Sequence, residues 1–404
     1  MKFLQKKIIF IFMVAFMVRM GYIFLIPARS LQLDDSYQWN LMAKYFKEGK
    51  GFLFGASDLD AKRAPIYPFF LAGVYRIWGD ENYLAVKVFQ AILSSLICVG
   101  VFILGTKLFD EPVAMLAGLF SGLYPPFIVY AEIFQSETLF CFLLLLWIYL
   151  WIKAIESNHW KYYIACGISL GILNLARGTM LFFPFFILGS TLFFRQVQLH
   201  LKKYILLILF SFLVIAPWTW RNYKVYDAFI PVVAGGPESF WYGTFSLKVQ
   251  RQFGESEEFK QVQKNLSGTV KENEIFFKKN ALKNIFNNPI GYLRLNIKKF
   301  LFFWYQPIGY ELIANKSVYL GSISLFFHIT FILLFIVGII LTMQKKEKLM
   351  PLYLIIVYFA LLHTLVPPVP RYRLPIEPLM ILFASVVCLK FFEYLKNNFY
   401  EKKY

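Results

Sequence analysis

The sequence predicts an all-α polytopic membrane protein, with about ten transmembrane helices and two long outer loops that carry surface helices. Three observations lead there. First, the 404 residues are 58% hydrophobic, 20% aromatic and only 16% charged, more apolar surface than one soluble core can hide, so lipid must solvate much of it. Second, apolar runs of roughly 20 residues, the length that crosses the hydrocarbon of a bilayer, recur along the chain. Third, the short connections between several of these runs carry Lys or Arg. Membrane topology therefore accounts for the net charge of +18, and nucleic acid is not an expected partner. Cys98, Cys141, Cys166 and Cys388 all fall inside apolar runs, with neither a disulfide framework nor a zinc spacing.

The first run, 8–26, has a basic start but is long, and no small-x-small cleavage site precedes Leu31, so it reads as an uncleaved anchor. The first outer segment, 28–82, follows at once. In its opening, "LDDSYQWNLMAKYFKEG", Tyr37, Leu41 and Tyr45 share a helical face with Met42 and Phe46, as in a helix lying flat on the bilayer. A second surface helix is expected over Pro65 to Trp78, bracketed by Pro-Ile-Tyr-Pro and Gly79; a re-entrant segment is the alternative. Further runs lie at 83–106, 112–130, 137–154, 161–176, 179–194 and 204–221. The second outer segment, 222–317, begins polar and aromatic in "AGGPESFWYGT". It continues as a charged helical region, 255–288, and a basic aromatic helix, 292–305. Runs at 318–343, 350–366 and 374–392 complete the chain.

The basic connections at 107–111, 153–161, 195–203 and 344–348 mark one side together with both termini, and by the positive-inside rule that side is cytoplasmic. The expected division is a transmembrane catalytic module, 1–221, an outer region, 222–317, and C-terminal helices with a cytoplasmic tail, 318–404. Neither a separable soluble domain nor an inverted repeat is visible.

Candidate chemistry collects at the outer ends of the runs. One of Asp34 and Asp35 can cap the helix that begins there, but capping needs only one; the other is left at a helix N-terminus as a base or metal ligand. Outer connections should be poor in positive charge, yet Arg177, Arg221, Arg371 and Arg373 all fall at that depth. For any single Arg, snorkelling is the ordinary explanation. Together they point to an anionic ligand, because the guanidinium fork grips phosphate oxygens in two places. Lys62 and Arg63 precede the second surface helix and are placed to reach the same phosphate. Glu137 opens its span beside a capping Ser136, and His363 is either a metal ligand or a hydrogen-bonded packing histidine.

These residues sit in stretches that resemble the glycosyltransferase C (GT-C) superfamily, specifically the bacterial relatives of protein O-mannosyltransferases and of the lipid A aminoarabinose transferases. The matching stretches are "DDSYQWNLMAKYFKEGKGF", "RAPIYPFFLAGVYRIWG", "QSETLF", "LGILNLARGTMLFFP", "APWTWRNYKVYDAFIPV", "NNPIGYLRLNIKKFLFFW" and "RYRLPIEPLM". They follow the family's order over nearly the whole chain. The resemblance implies a GT-C fold in the plasma membrane, the inner membrane of a bacterium. It also implies transfer of a sugar from a polyprenyl-phosphate donor to the hydroxyl of a glycan, lipid or protein acceptor on the outer side, with inversion if the displacement is single. The family's catalytic acid carries over to Asp34 with Asp35 as its neighbour, and its phosphate contacts to Arg63, Arg177, Arg221 and Arg373. A divalent ion such as magnesium or manganese, held by Asp34, Glu137 or His363, is a further expectation, since some relatives use one. Two departures stand out: relatives often have Pro where Gly178 follows Arg177, and the additional periplasmic domain of larger members is missing from this sequence.

Two other classes compete with this reading. An envelope polysaccharide polymerase or ligase would share the outer arginines but has no need of a carboxylate pair directly after the first run. A flippase or secondary transporter should carry charges near mid-membrane, where Arg19 stands as the obvious one.

Overall fold

Each apolar run expected to span falls on helical structure, and the departures trace to proline and glycine. The computed structural model describes residues 2–26, 31, 34–51, 60–247, 250, 262, 266, 268–309 and 318–401. Its helices are α1 (Lys2–Leu25), α2 (Asp34–Lys47), α3 (Ile66–Trp78), α4 (Tyr83–Leu108), α5 (Glu111–Leu123), α6 (Pro125–Val129), α7 (Glu137–Ser157) and α8 (Trp160–Ala176). They continue as α9 (Phe183–Gly189), α10 (Arg195–Tyr226), α11 (Gly236–Tyr242), α12 (Val270–Asn287), α13 (Pro289–Tyr305), α14 (Val318–Thr342), α15 (Lys346–Leu362) and α16 (Glu377–Glu401). Among the described residues there is no strand. By length and composition, 6 stretches can cross a membrane, one of them the 44 residues Tyr319–Leu362 that comprise both α14 and α15. The protein is thus a multi-pass membrane protein.

The expected span 112–130 is broken. Tyr124 is extended at φ −70°, ψ 115° because Pro125 disfavours a helical residue before it, so α5 ends at Leu123 and a short α6 follows. Likewise 179–194 divides into a 3₁₀ turn Gly178–Met180, α9 with Pro184 in its first turn, and a 3₁₀ turn Ser190–Leu192. Within the charged region α12 begins at Val270, where Thr269 and Glu272 form a capping box; 255–261, 263–265 and 267 lie outside the described residues.

Small residues let the bundle close. A Cβ added at Gly167 would stand 2.6 Å from the Leu207 carbonyl oxygen, and one at Gly171 2.6 Å from Val214 Cβ, so α8 and α10 approach backbone to backbone. Arg19, the mid-span charge, is wholly buried between helices. Its guanidinium donates to Ser94 Oγ (2.7 Å), to the Ala15 carbonyl (2.9 Å) and to the Gly122 carbonyl (3.0 Å), tying α1 to α4 and α5. That is a packing role, and it leaves the transporter reading without its one supporting charge.

The surface layer is built from α2 and α3. Trp39 meets Tyr67 edge-on at 5.5 Å, Phe46 meets Phe69 at 4.4 Å, and Tyr75 Oη donates to Asn40 Oδ1 at 2.5 Å. Gly79, at φ +92°, ends α3 as the sequence predicts. Below them, Tyr67 Oη donates to Gln90 Oε1 (2.7 Å), and Gln90 Nε2 donates to the carbonyls of Ala131 and Ile133 (both 3.1 Å). This buried relay fixes the turn that leads into α7.

Candidate active site

The end of the bundle covered by α2 and α3 holds a ladder of opposite charges drawn from distant parts of the chain. Asp35, in the first turn of α2, accepts from Arg63 Nη2 through Oδ1 at 2.5 Å and from Arg371 Nη2 through Oδ2 at 2.9 Å. Arg63 Nη2 also reaches Gln38 Oε1 at 2.5 Å, one helical turn along. Arg371 turns its Nε towards Glu137 Oε1 at 3.8 Å, and Arg177 Nη1 lies 2.8 Å from that same oxygen. The order is Arg63, Asp35, Arg371, Glu137, Arg177. Among the described side chains of the ladder, three cations face two anions.

Local structure explains why each group arrives there. Glu137 opens α7 and is 1% exposed. Arg177 follows the last residue of α8 in extended conformation, φ −163°, which throws its side chain off the helix axis. Arg371 lies in the 3₁₀ turn Pro370–Ile376 that carries the chain back over the bundle before α16. Tyr372 sits between two cations, its ring 5.1 Å from the Arg177 guanidinium carbon and 5.7 Å from that of Arg371. Trp39 does the same for Arg63 at 5.1 Å.

Burial alone pushes the Asp35 carboxyl up, but Arg63 and Arg371 outweigh it and hold the group below the usual carboxylate range. Such a carboxylate stays ionised and is a poor proton acceptor. Nε of Arg63, Nε of Arg371 and Oε2 of Glu137 are buried without hydrogen-bond partners, so the ladder holds unspent donors and one unspent acceptor.

The other candidates go elsewhere. Asp34 begins α2, but its side chain lies outside the described residues. Arg373 is 0% exposed: its Nε pairs with Glu377 Oε1 at 3.0 Å, Nη1 donates to the Phe303 carbonyl and, at 3.3 Å, to that of Trp304, and Nη2 donates to the Gln306 carbonyl at 3.1 Å. It is the pin that locks α13 to α16 and has no polar contact with the ladder. Arg221 donates to Asn222 Oδ1 (3.0 Å) and Tyr226 Oη (3.3 Å) and lies over the Trp218 ring. Its neighbours in the motif have a folding role. Trp218, Thr219 and Asn222 donate to the carbonyls of Val232, Pro231 and Ile230 at 2.8, 2.8 and 3.0 Å, folding the chain back along α10. Lys62 turns away from the ladder to Glu238 Oε2, 2.6 Å off.

Comparison with known proteins agrees with this architecture. Residues 62–220 match the family model of dolichyl-phosphate-mannose-protein mannosyltransferases. The fold matches the Archaeoglobus fulgidus oligosaccharyltransferase, solved in complex with Zn and sulfate, at a TM-score of 0.57 and 14% identity over 95% of this chain. It also matches the archaeal oligosaccharyltransferase AglB from the same organism, solved with an inhibitory peptide and a dolichol-phosphate, at a TM-score of 0.54 and 14% identity over 98% of this chain. The chain has the GT-C fold of these enzymes.

The chain spans about half the length of those solved structures, 49% and 51%. No curated protein sequence matches it. Among the described residues no group of three or more His, Cys, Asp or Glu side chains is placed to hold a metal. His363 packs within the bundle: its Nδ1 donates to the Phe359 carbonyl at 2.8 Å and its ring stacks on Phe303 at 5.6 Å. Tyr372 and Trp39, whose rings face arginines of the ladder, are not among the candidates the sequence offers. Tyr372 carried a signal, as the one residue between two candidate arginines.

Proposed function

We propose that this protein transfers one sugar from a polyprenyl-phosphate donor to an acceptor hydroxyl at the outer face of a bacterial plasma membrane, with both termini in the cytoplasm. The observation that carries the reading is the ladder: three arginines held apart by two carboxylates at the end of a membrane bundle. Unspent guanidinium N–H groups on paired arginines suit a phosphate diester, an anion that also sits at the depth of lipid headgroups. The likeness to the mannosyltransferase model and to the GT-C structures supports the same donor class.

In this mechanism the acceptor oxygen attacks the anomeric carbon. The bond from that carbon to the phosphate oxygen breaks, and polyprenyl phosphate leaves with the electron pair. Arg63, Arg177 and Arg371 stabilise the negative charge that grows on the departing oxygens. The acceptor proton passes to a carboxylate. Asp35, held between two guanidinium groups, is too weak a base, so the role goes to its neighbour Asp34, with Asp35 and Glu137 aligning the arginines. One such displacement inverts the anomeric centre.

Sealed membrane vesicles containing the protein and radiolabelled polyprenyl-phosphate sugar test this. The label should leave the lipid fraction and appear in an acceptor, whereas a polymerase acting on another donor, or a flippase, would leave this donor uncleaved.

A further inference from the structure

A cavity of about 320 Å³, separate from the ladder, is lined in part by Lys62, the residue that precedes the ladder's Arg63 in sequence. One wall is a single face of α12, where Val270, Asn273, Glu274 and Phe277 follow at i, i+3, i+4 and i+7. The opposite wall is the returning chain at Ala234 and Gly235 with Glu238 of α11, and Lys62 closes the side. Three contacts hold the walls together. Lys62 pairs with Glu238 Oε2 at 2.6 Å, Gly235 N–H donates to Glu274 Oε1 at 2.7 Å, and Ala234 N–H donates to the Ala61 carbonyl at 2.6 Å.

The lining has a definite chemistry. The carboxylates of Glu238 and Glu274 accept hydrogen bonds, the Lys62 ammonium and the Asn273 amide donate them, and Phe277 and Val270 offer an apolar surface. Burial raises the Glu274 carboxyl above the usual carboxylate range against the Gly235 N–H that lowers it. A ligand that satisfies donors and acceptors on one side and a flat apolar surface on the other is a sugar ring, with hydroxyls at its rim and C–H groups on its face. The volume is at the lower end for a small-molecule site, on the order of 300 Å³, and suits one ring better than a peptide segment. Lys62 and Arg63 are consecutive, with Cα atoms about 3.8 Å apart, so one stretch of backbone carries both the Lys62 wall of the cavity and the cation that grips Asp35.

We propose that this cavity is the acceptor subsite and takes one sugar ring of a carbohydrate acceptor. The inference rests on the glycosyltransferase reading above for its role, and on the cavity lining for its ligand. Attack on the donor needs the acceptor hydroxyl beside the departing phosphate, and a ring anchored between Glu238, Glu274 and Phe277 is positioned against the Lys62–Arg63 turn that links the two sites.

The test uses the full chain in nanodiscs and saturation-transfer NMR with the methyl glycosides of mannose, glucose, galactose and N-acetylglucosamine, plus a serine- and threonine-containing hexapeptide. At least one glycoside should receive saturation through its ring protons. Glu274→Gln, isosteric and able to keep the Gly235 bond, and Val270→Trp, which fills the cavity, should each weaken that binding at least about tenfold. Arg371→Lys should leave it unchanged. Unchanged unfolding temperatures for Glu274→Gln and Val270→Trp separate lost binding from lost folding. Binding that persists in both cavity variants, or saturation of the peptide alone, overturns the proposal. Donor cleavage without any glycoside binding overturns the subsite and leaves the proposed function standing; glycoside binding without donor cleavage removes the function and with it the acceptor role.

Discussion

Arg371 spans the two carboxylates of the ladder, with Nη2 2.9 Å from Asp35 Oδ2 and Nε 3.8 Å from Glu137 Oε1. A planar fork reaches both at once; an ammonium on a flexible stem cannot. Arg371→Lys and Arg177→Lys are therefore expected to lower transfer at least about tenfold despite keeping the charge. Comparing initial rates at matched protein levels in vesicles checks this. Near-normal rates in both variants would remove the ladder from the reaction.

The adjacent aspartates should separate by kinetic signature. Asp34→Asn still caps a helix but accepts no proton, so kcat should fall by roughly 100-fold with donor KM little changed. Asp35→Asn loosens Arg63 and Arg371, so the larger change should be a raised donor KM. The opposite pattern would exchange the two roles.

Arg373 and Glu377 should report on stability rather than chemistry. Removing either partner of this fully buried pair is expected to cost about 3–5 kcal/mol, while the double change Arg373→Met with Glu377→Met recovers part of the loss. Thermal unfolding in detergent measures both. A double variant no more stable than the singles would mean that the bonds from Arg373 to the carbonyls at the end of α13 carry the effect.

Lys299 supplies a pH dependence. It is 0% exposed, donates to the Gly243 carbonyl at 2.8 Å, and burial lowers its pKa to about 7. In the unfolded chain the ordinary value is about 10.4, so between these limits the unfolded state binds more protons and stability rises with pH. Below pH 7 both states are charged and the burial cost is present in full. Lys299→Met should raise the unfolding temperature at pH 6 and converge on the parent by about pH 10, the end of that window. An unaltered pH slope would count against a charged, buried Lys299.

Orientation is open to a direct check. Reporter fusions after Lys107, Lys203 and Lys348 should report the cytoplasm, and fusions at Glu48 and Lys279 the outside. A cytoplasmic signal at Lys279 would put the ladder on the wrong face for a lipid-linked donor presented outside.

Much of this protein was legible in its sequence because membrane helices announce themselves by length and composition, and because Pro65 and Gly79 bracket α3 as their backbone preferences require. The grouping of Asp35, Glu137, Arg63, Arg177 and Arg371 at one level followed from topology alone. Which arginine meets which carboxylate did not. Arg373 lies two residues from Arg371, but in a tight 3₁₀ turn that offset sends the two side chains to different neighbours, one to the ladder and one to Glu377. The stretch around Arg221 is rich in polar side chains for a separate reason: a chain reversal over α10 needs its carbonyls satisfied. The interruption at Tyr124 came from two prolines inside an otherwise unbroken apolar run, a local effect that average hydropathy cannot register.

The clamp around Arg19 bears on how the chain is made. An arginine at the centre of a lone helix costs about 2.5–3.5 kcal/mol to insert, and here the groups that repay it come late. Ser94 and Gly122 follow Arg19 by 75 and 103 residues. At about 5–20 residues per second, α1 must wait on the order of 5–20 s for its partners to be synthesised. During that interval α1 should stay beside the insertion machinery or a chaperone instead of diffusing into lipid. Site-specific crosslinking of stalled nascent chains would see that contact persist until α5 emerges, and Arg19→Leu should release the helix early.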